Sequence, residues 1–216
     1  MYVRFSGGSK SLVILAMFCL VSAGGALLPD LDNTQSTAKS SLGATGSLIS
    51  SFMRTTSPLI QNTLRTKYDK PTDNAHRGFY HTILAGLLFG ALFTFLCSPA
   101  IAFHIGSFVV NGKLVALILM FLSVDMALSA ILGEMFSSKK GMDTVISLAF
   151  SFGLSWMIWS NLPNGASYTM IGLALGLGWI IHILGDMFTT AGVPALFPMK
   201  LKGKFWHNIR FLQIQA

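Results

Sequence analysis

Five long apolar runs divide this chain, at about residues 11–28, 82–102, 114–135, 144–161 and 168–188. Each approaches the length of about 20 residues that a helix needs to cross a hydrocarbon core. Hydrocarbon offers backbone N–H and C=O groups no partner, so such runs satisfy themselves as helices. The expected fold is all-α, a polytopic membrane protein with about five transmembrane helices in one membrane-embedded domain over residues 1–216. Composition agrees, with 52% hydrophobic residues, 11% charged and a mean hydropathy of +0.63; ordinary soluble domains are about 25% charged.

Between the first two runs lies a polar excursion, residues 29–81, rich in Ser and Thr. In it Leu48, Ile49, Phe52 and Met53 recur at helical spacing, with Leu59, Ile60 and Leu64 following Pro58. This predicts one or two short amphipathic helices at the membrane surface, over a site, or packed on the bundle. Pro99 bends or ends the second run, and Asn161-Leu-Pro-Asn-Gly165 forms a turn after the fourth. Trp156 and Trp159 read as interface anchors. Cys19 and Cys97 sit inside apolar runs as small hydrophobes rather than a disulfide pair. The basic start and short first run are also compatible with a cleaved signal peptide, which would leave Leu28-Pro29-Asp30 at a new N-terminus.

The net charge of +7 belongs with topology rather than with nucleic acid, because no arginine-aromatic module accompanies it. Placing the excursion, the Lys139-Lys140 loop and the C-terminal tail 189–216 inside leaves only Arg4, Lys10 and Lys113 of the 15 basic residues outside, as the positive-inside rule requires. Five spans then put the N-terminus outside and the C-terminus in the cytoplasm. The Lys200–Arg210 tail reads as a topology determinant touching anionic lipid.

That orientation brings three polar clusters to the cytoplasmic face: Leu28-Pro29-Asp30-Leu31-Asp32, His76-Arg77-Gly78-Phe79-Tyr80-His81 and His182-Ile-Leu-Gly-Asp186. Charged groups in apolar helices cost roughly 2.5 kcal/mol or more, so they mark function. His182 and Asp186, four apart, share a helix face. Asp30 and Asp32 follow a proline on a turn, and His76 and His81 flank Gly78 at a helix start. The six candidates Asp30, Asp32, His76, His81, His182 and Asp186 mix oxygen and imidazole donors. Such a set suits zinc first, with manganese or iron as alternatives, as one ion with supporting partners or as two. A bound metal would lower the pKa of a coordinated water toward about 7. His81, Asp32 or Asp186 would transfer protons, and Arg77 would pair with a phosphate oxygen.

The order LLPDLD, HRGFYHT and HILGDMFTTAGVPALFP resembles the YdjM-like family of bacterial inner-membrane proteins, whose pattern is LLPDxD, HRGxTHS and HxxxDxxTxxGxxLxxP. The resemblance implies a metal-dependent hydrolase, remotely related to zinc-dependent phospholipase C and P1-type nucleases, with a phosphoester or lipid-linked substrate. It assigns Asp30 and Asp32 to the paired aspartates, His76 and His81 to the two histidines, and His182 and Asp186 to the final pair. Thr189 and Gly192 match the turn that follows. Asn33 stands where the family usually has a third histidine, Tyr80 and Thr82 replace threonine and serine, and Thr190 stands where proline is frequent. The N-terminus carries no histidine, where many relatives have a Thr-His pair.

Two function classes remain open from the residues. One is a membrane hydrolase at the cytoplasmic face. The other is a non-enzymatic membrane protein, either a metal carrier or an interaction protein with a structural or degenerate metal site. A carrier would line a polar path across the bilayer, and only Asp125 lies deep in a run. Asp125 reads equally as a proton site or a helix–helix hydrogen bond. Glu134 reads as a solvated interfacial residue or an added ligand, and His104 and His207 as loop and interface residues.

Overall fold

The computed structural model describes residues 9–74, 76–135, 140–162 and 167–211. Seven α-helices occur among them: α1 (Ser9–Leu27), α2 (Thr37–Ser41), α3 (Gly43–Thr63), α4 (Ile83–Leu96), α5 (Gly112–Met135), α6 (Lys140–Asn161) and α7 (Ser167–Met187). Three segments are long and apolar enough to cross a membrane, Ile14–Asp32, Gly112–Leu132 and Tyr168–Met187, and Ile83–Leu96 and Val145–Ser160 are shorter apolar helices. The protein is thus mostly helical, with its helices where the apolar runs predict them. The run expected at 82–102 is helical only to Leu96. Beyond it, Ala102–Ile105 (β1) and Phe108–Asn111 (β2) pair antiparallel, Ala102 opposite Asn111. This small hairpin has no strong alternation in sequence to announce it.

The chain forms two compact units, and α1, α4 and α7 contribute to both. The first comprises Met1–Gly25 and Gly90–Gly178. Small residues set its helix contacts: a Cβ on Gly24 would collide with the backbone of Ser123, the close approach that glycine permits between apolar helices. α5 and α6 are joined by a buried polar cluster. Asp125 accepts hydrogen bonds from Ser147 (3.2 Å) and Ser151 (3.0 Å), and the hydroxyls of Ser129 and Ser147 lie 2.8 Å apart. Of the two readings of Asp125, the structure displays the helix–helix hydrogen bond. Trp156 is exposed, and Trp159 packs against Tyr168 with the Lys113 ammonium 5.9 Å from each ring. Glu134 lies on α5, but its side chain is outside the described residues. His104 is exposed on β1.

The second unit comprises Ala26–Phe89 and Trp179–Ala216 and holds all three polar clusters. The amphipathic prediction is met by one helix, α3, which continues through Pro58. The tail returns to brace the loop after α3. Asp69 accepts from the backbone N–H and hydroxyl of Thr66 (both 2.8 Å) and from the N–H groups of Phe205 and Trp206 (both 3.2 Å). Burial alone would raise its pKa, but these bonds outweigh it and hold the carboxyl below the usual carboxylate range. The Trp206 indole donates to the Gln61 carbonyl (3.0 Å) and stacks on Phe197 at 4.3 Å. An isolated bridge joins Val193 to Ile209, and the Ile83 N–H bonds the Ala195 carbonyl at 2.9 Å. His207, half-buried, lies in this returning segment and not among the polar clusters.

Candidate metal centre

The sequence dictates how each donor is held. Pro29 cannot continue a helical hydrogen-bond ladder, and the chain after α1 tightens into a 3-10 turn, Pro29–Asp32. A second 3-10 turn, Phe79–His81, precedes α4, whose start is capped by Thr82 accepting from the Ala85 N–H at 3.1 Å. Gly78 sits against Ser57 and Gln61 of α3, where a Cβ would collide with both side chains. The glycine of the second motif is therefore needed for close approach. His182 and Asp186 occupy successive turns of α7, as their spacing predicts.

Four donor atoms form a ring. His81 Nε2 lies 3.7 Å from Asp30 Oδ1 and 3.6 Å from Asp186 Oδ2; His182 Nε2 lies 3.7 Å from Asp30 Oδ1 and 3.4 Å from Asp186 Oδ2. Tetrahedral coordination at bond lengths of about 2.0–2.2 Å places neighbouring donors about 3.3–3.6 Å apart. The four separations lie at or just above that range, so Asp30, His81 and His182, with Asp186 beside the two imidazoles, could hold one ion. On the other side of His81, Asp32 faces two ring nitrogens, His76 Nδ1 at 2.8 Å and His81 Nδ1 at 3.4 Å. Donor atoms of Asp30, His81 and His182, and likewise of Asp32, His76 and His81, lie within 4.8 Å of one another.

Five buried atoms of this cluster make no hydrogen bond: Asp32 Oδ2, His81 Nδ1, His81 Nε2, His182 Nε2 and Asp186 Oδ2. Buried polar atoms are almost always partnered, and leaving one unpaired costs about 1–3 kcal/mol. Three of them, His81 Nε2, His182 Nε2 and Asp186 Oδ2, face the donor ring, where they fit a cation; Asp32 Oδ2 and His81 Nδ1 face each other on the far side of the imidazole. Burial draws the His81 imidazole toward its neutral form, but Asp30, Asp32 and Asp186 outweigh that, and its pKa is pushed up to about 9. Without a metal, a proton is held where the cation would sit.

Arg77 adopts a left-handed backbone, φ 60°, a conformation that costs a non-glycine residue roughly 1–2 kcal/mol. Its guanidinium donates to Thr189 Oγ1 at 3.0 Å and reaches Asp186 Oδ1 at 3.4 Å. Asp186 thus turns one oxygen to Arg77 and the other to the donor ring. Thr189 also donates to the Asp186 carbonyl at 2.7 Å and accepts from the Gly192 N–H at 3.3 Å. A cleft of about 440 Å³ adjoins this edge, lined by Gln61, Thr72, Asn74, His76, Arg77 and Asn208 with Ala191.

The sequence offered a helix over a site and marked Thr189 as part of a turn; the bond between Arg77 and Thr189 was not legible, because 112 positions separate them. Asn33, at the family's histidine position, accepts from the Gln35 N–H at 3.0 Å and closes a local turn. Tyr80 is buried, its hydroxyl 2.6 Å from Thr56 Oγ1 and its carbonyl accepting from the Trp179 indole at 2.8 Å.

The family model described as YdjM inner membrane protein matches residues 3–142 and 145–216. The chain belongs to the YdjM inner membrane protein family. All three polar clusters lie within the YdjM match. Family membership and the apolar helices together place the protein in a membrane. No curated protein and no solved structure matches the chain.

Proposed function

We propose that this YdjM-family protein is a membrane-bound metal-dependent hydrolase acting on a phosphoester at the cytoplasmic membrane face. The observation that carries the reading is the ring of unpartnered His81, His182 and Asp186 atoms with Asp30 Oδ1 completing it. Asp30, His81, His182 and Asp186 would hold the ion, most readily zinc, with Asp32 orienting His81 through Nδ1. A second ion would use Asp32 and His76. A bound divalent cation supplies Lewis acidity toward a phosphoryl oxygen and makes water a competent nucleophile near neutral pH.

The chain's own residues supply the rest. Asp32 between the two imidazoles can hold and return a proton. Arg77, already tied to Asp186 and Thr189, presents its remaining N–H groups toward the cleft edge, where a phosphate oxygen would pair with them. The topology that goes with this site has five spans, α1, α4, α5, α6 and α7, with the N-terminus outside. At 14 residues, α4 covers only about 21 Å and would draw on the residues after it.

The test is metal content by mass spectrometry on detergent-purified protein, wild type beside His76→Ala/His182→Ala. About one or two equivalents in wild type, lost in the variant, are expected; a phosphoester screen follows. Metal retained without any phosphoester turnover would identify a structural site in a non-enzymatic protein. No metal in wild type, even after reconstitution, would end the hydrolase reading.

A further inference from the structure

α3 is amphipathic in the inverted sense. Its buried positions are Gly46, Ser50, Met53, Ser57 and Gln61, mostly polar or small. Its large apolar residues face outward: Leu48 is 73% exposed, Phe52 63% and Leu59 62%. At 100° per residue these three fall within about 40° of one another, and the buried set is centred about 160° away. A helix that turns polar groups inward and leucine and phenylalanine outward is not a soluble surface helix, which shows the reverse pattern.

We infer that the Leu48–Phe52–Leu59 face of α3 is seated in the lipid bilayer at the headgroup–acyl boundary, and that the cleft beside it takes the phosphate headgroup of a lipid. The second clause rests on the proposed function. Continuity with the membrane supports the seating: the candidate span Ile14–Asp32 ends eleven residues before α3 begins at Gly43. Charge supports it too. From Thr37 to Lys70 the chain carries Lys39, Arg54, Arg65, Lys67 and Lys70 against a single acid. That acid, Asp69, is engaged by backbone N–H groups. Four of the five, Lys39, Arg65, Lys67 and Lys70, lie in the segments flanking α3, and basic segments beside an outward apolar stripe suit an anionic lipid surface.

The depth of the cleft follows from the same helix. Gln61 lies on the inward face of α3 and lines the cleft, so cleft and lipid-facing stripe are one helix diameter apart, about 10 Å. The headgroup layer is about 5–8 Å thick in each leaflet, so the cleft stands at its aqueous edge, where a projecting phosphate headgroup would reach it. The donors stand at matching positions in the chain. Asp32 ends one candidate span, Asp186 is one residue from the end of another, and His81 lies two residues before α4. Gln61, Thr72, Asn74 and Asn208 line the cleft beside Arg77, a polar lining that suits a hydroxyl-bearing phosphate headgroup.

Depth-resolved quenching tests both clauses without reference to metal or activity. Single cysteines at Leu48, Phe52, Leu59, Ser51 and Asn208, in a Cys19→Ser/Cys97→Ser background, carry a fluorescent label in vesicles of phosphatidylglycerol and phosphatidylethanolamine. Labels at 48, 52 and 59 should be quenched several-fold more by acyl-chain nitroxides than by aqueous iodide, with Ser51→Cys intermediate. The label at 208 should respond most to a headgroup nitroxide. Iodide quenching at 48, 52 and 59 would overturn the seating. Shielding from both quenchers, with disulfide cross-linking between copies of the same variants when left unlabelled and oxidised, would assign the face to a second protomer instead. Iodide-only quenching at 208 would overturn the lipid headgroup while leaving the metal chemistry standing.

Discussion

At the residue scale, the two oxygens of each carboxylate have different duties. Asp186 gives Oδ2 to the donor ring and Oδ1 to Arg77; Asp32 bonds His76 Nδ1 through Oδ1 and turns Oδ2 toward His81 Nδ1 at 3.4 Å. Removing a ligand and removing its orienting partner should therefore differ. His182→Ala or Asp186→Ala is expected to lose bound metal without loss of folded yield. Asp32→Asn should weaken affinity about 10–100-fold, the usual cost of losing an outer partner. Chelator competition with zinc measures both. Loss as complete in Asp32→Asn as in Asp186→Ala would make Asp32 a direct ligand. The pH dependence follows from His81. Its folded pKa of about 9 exceeds the unfolded value of about 6.5, so in metal-free protein its stabilisation is full below about 6.5 and is lost as pH rises through about 9. Metal must displace that proton, so zinc affinity should rise with pH over the same window. A flat affinity between pH 6 and 9 in calorimetry would contradict this.

At the element scale, two polar anchors hold very different structures. Asp69 ties the Thr66 turn to Phe205 and Trp206 of the tail, and that loop leads to His76. Asp69→Ala leaves those N–H groups without an acceptor, at about 1–3 kcal/mol for each one kept from water. The expected result is a clear drop in melting temperature, read by thermal unfolding in detergent, together with weaker metal binding. Because the Asp69 pKa is depressed, its contribution is present above about 4 and lost as pH falls through the folded value. The Asp125 cluster joins α5 to α6 through Ser147 and Ser151. Hydrogen bonds between membrane helices are worth about 0.6 kcal/mol, rarely above about 1.7. Asp125→Ala should therefore cost little stability and leave zinc content unchanged; a large loss of metal on this substitution would connect Asp125 to the site.

At the scale of the whole molecule, orientation is the property with the simplest test. Twelve of the 15 basic residues fall on one side when the tail is placed inside. A fluorescent-protein fusion at the C-terminus should therefore be bright, and an alkaline phosphatase fusion there inactive. The opposite pair of results would invert the topology and move the donor ring to the outer face.

The apolar runs determined helices by themselves, because hydrocarbon leaves the backbone no other partner. The His182–Asp186 spacing likewise determined a shared helix face. The Pro29 turn and the Gly78 motif marked where polar residues interrupt apolar chain. What the sequence could not contain is pairing between distant positions. Only tertiary structure put Asp30 Oδ1 beside His182 Nε2, divided Asp32 between two imidazoles, and tied Arg77 to Thr189. Only tertiary structure showed that Met53 is buried while Leu48 and Phe52 face out. Periodicity reports that apolar residues share a side of a helix; it is the neighbours of that helix that decide which side is inside.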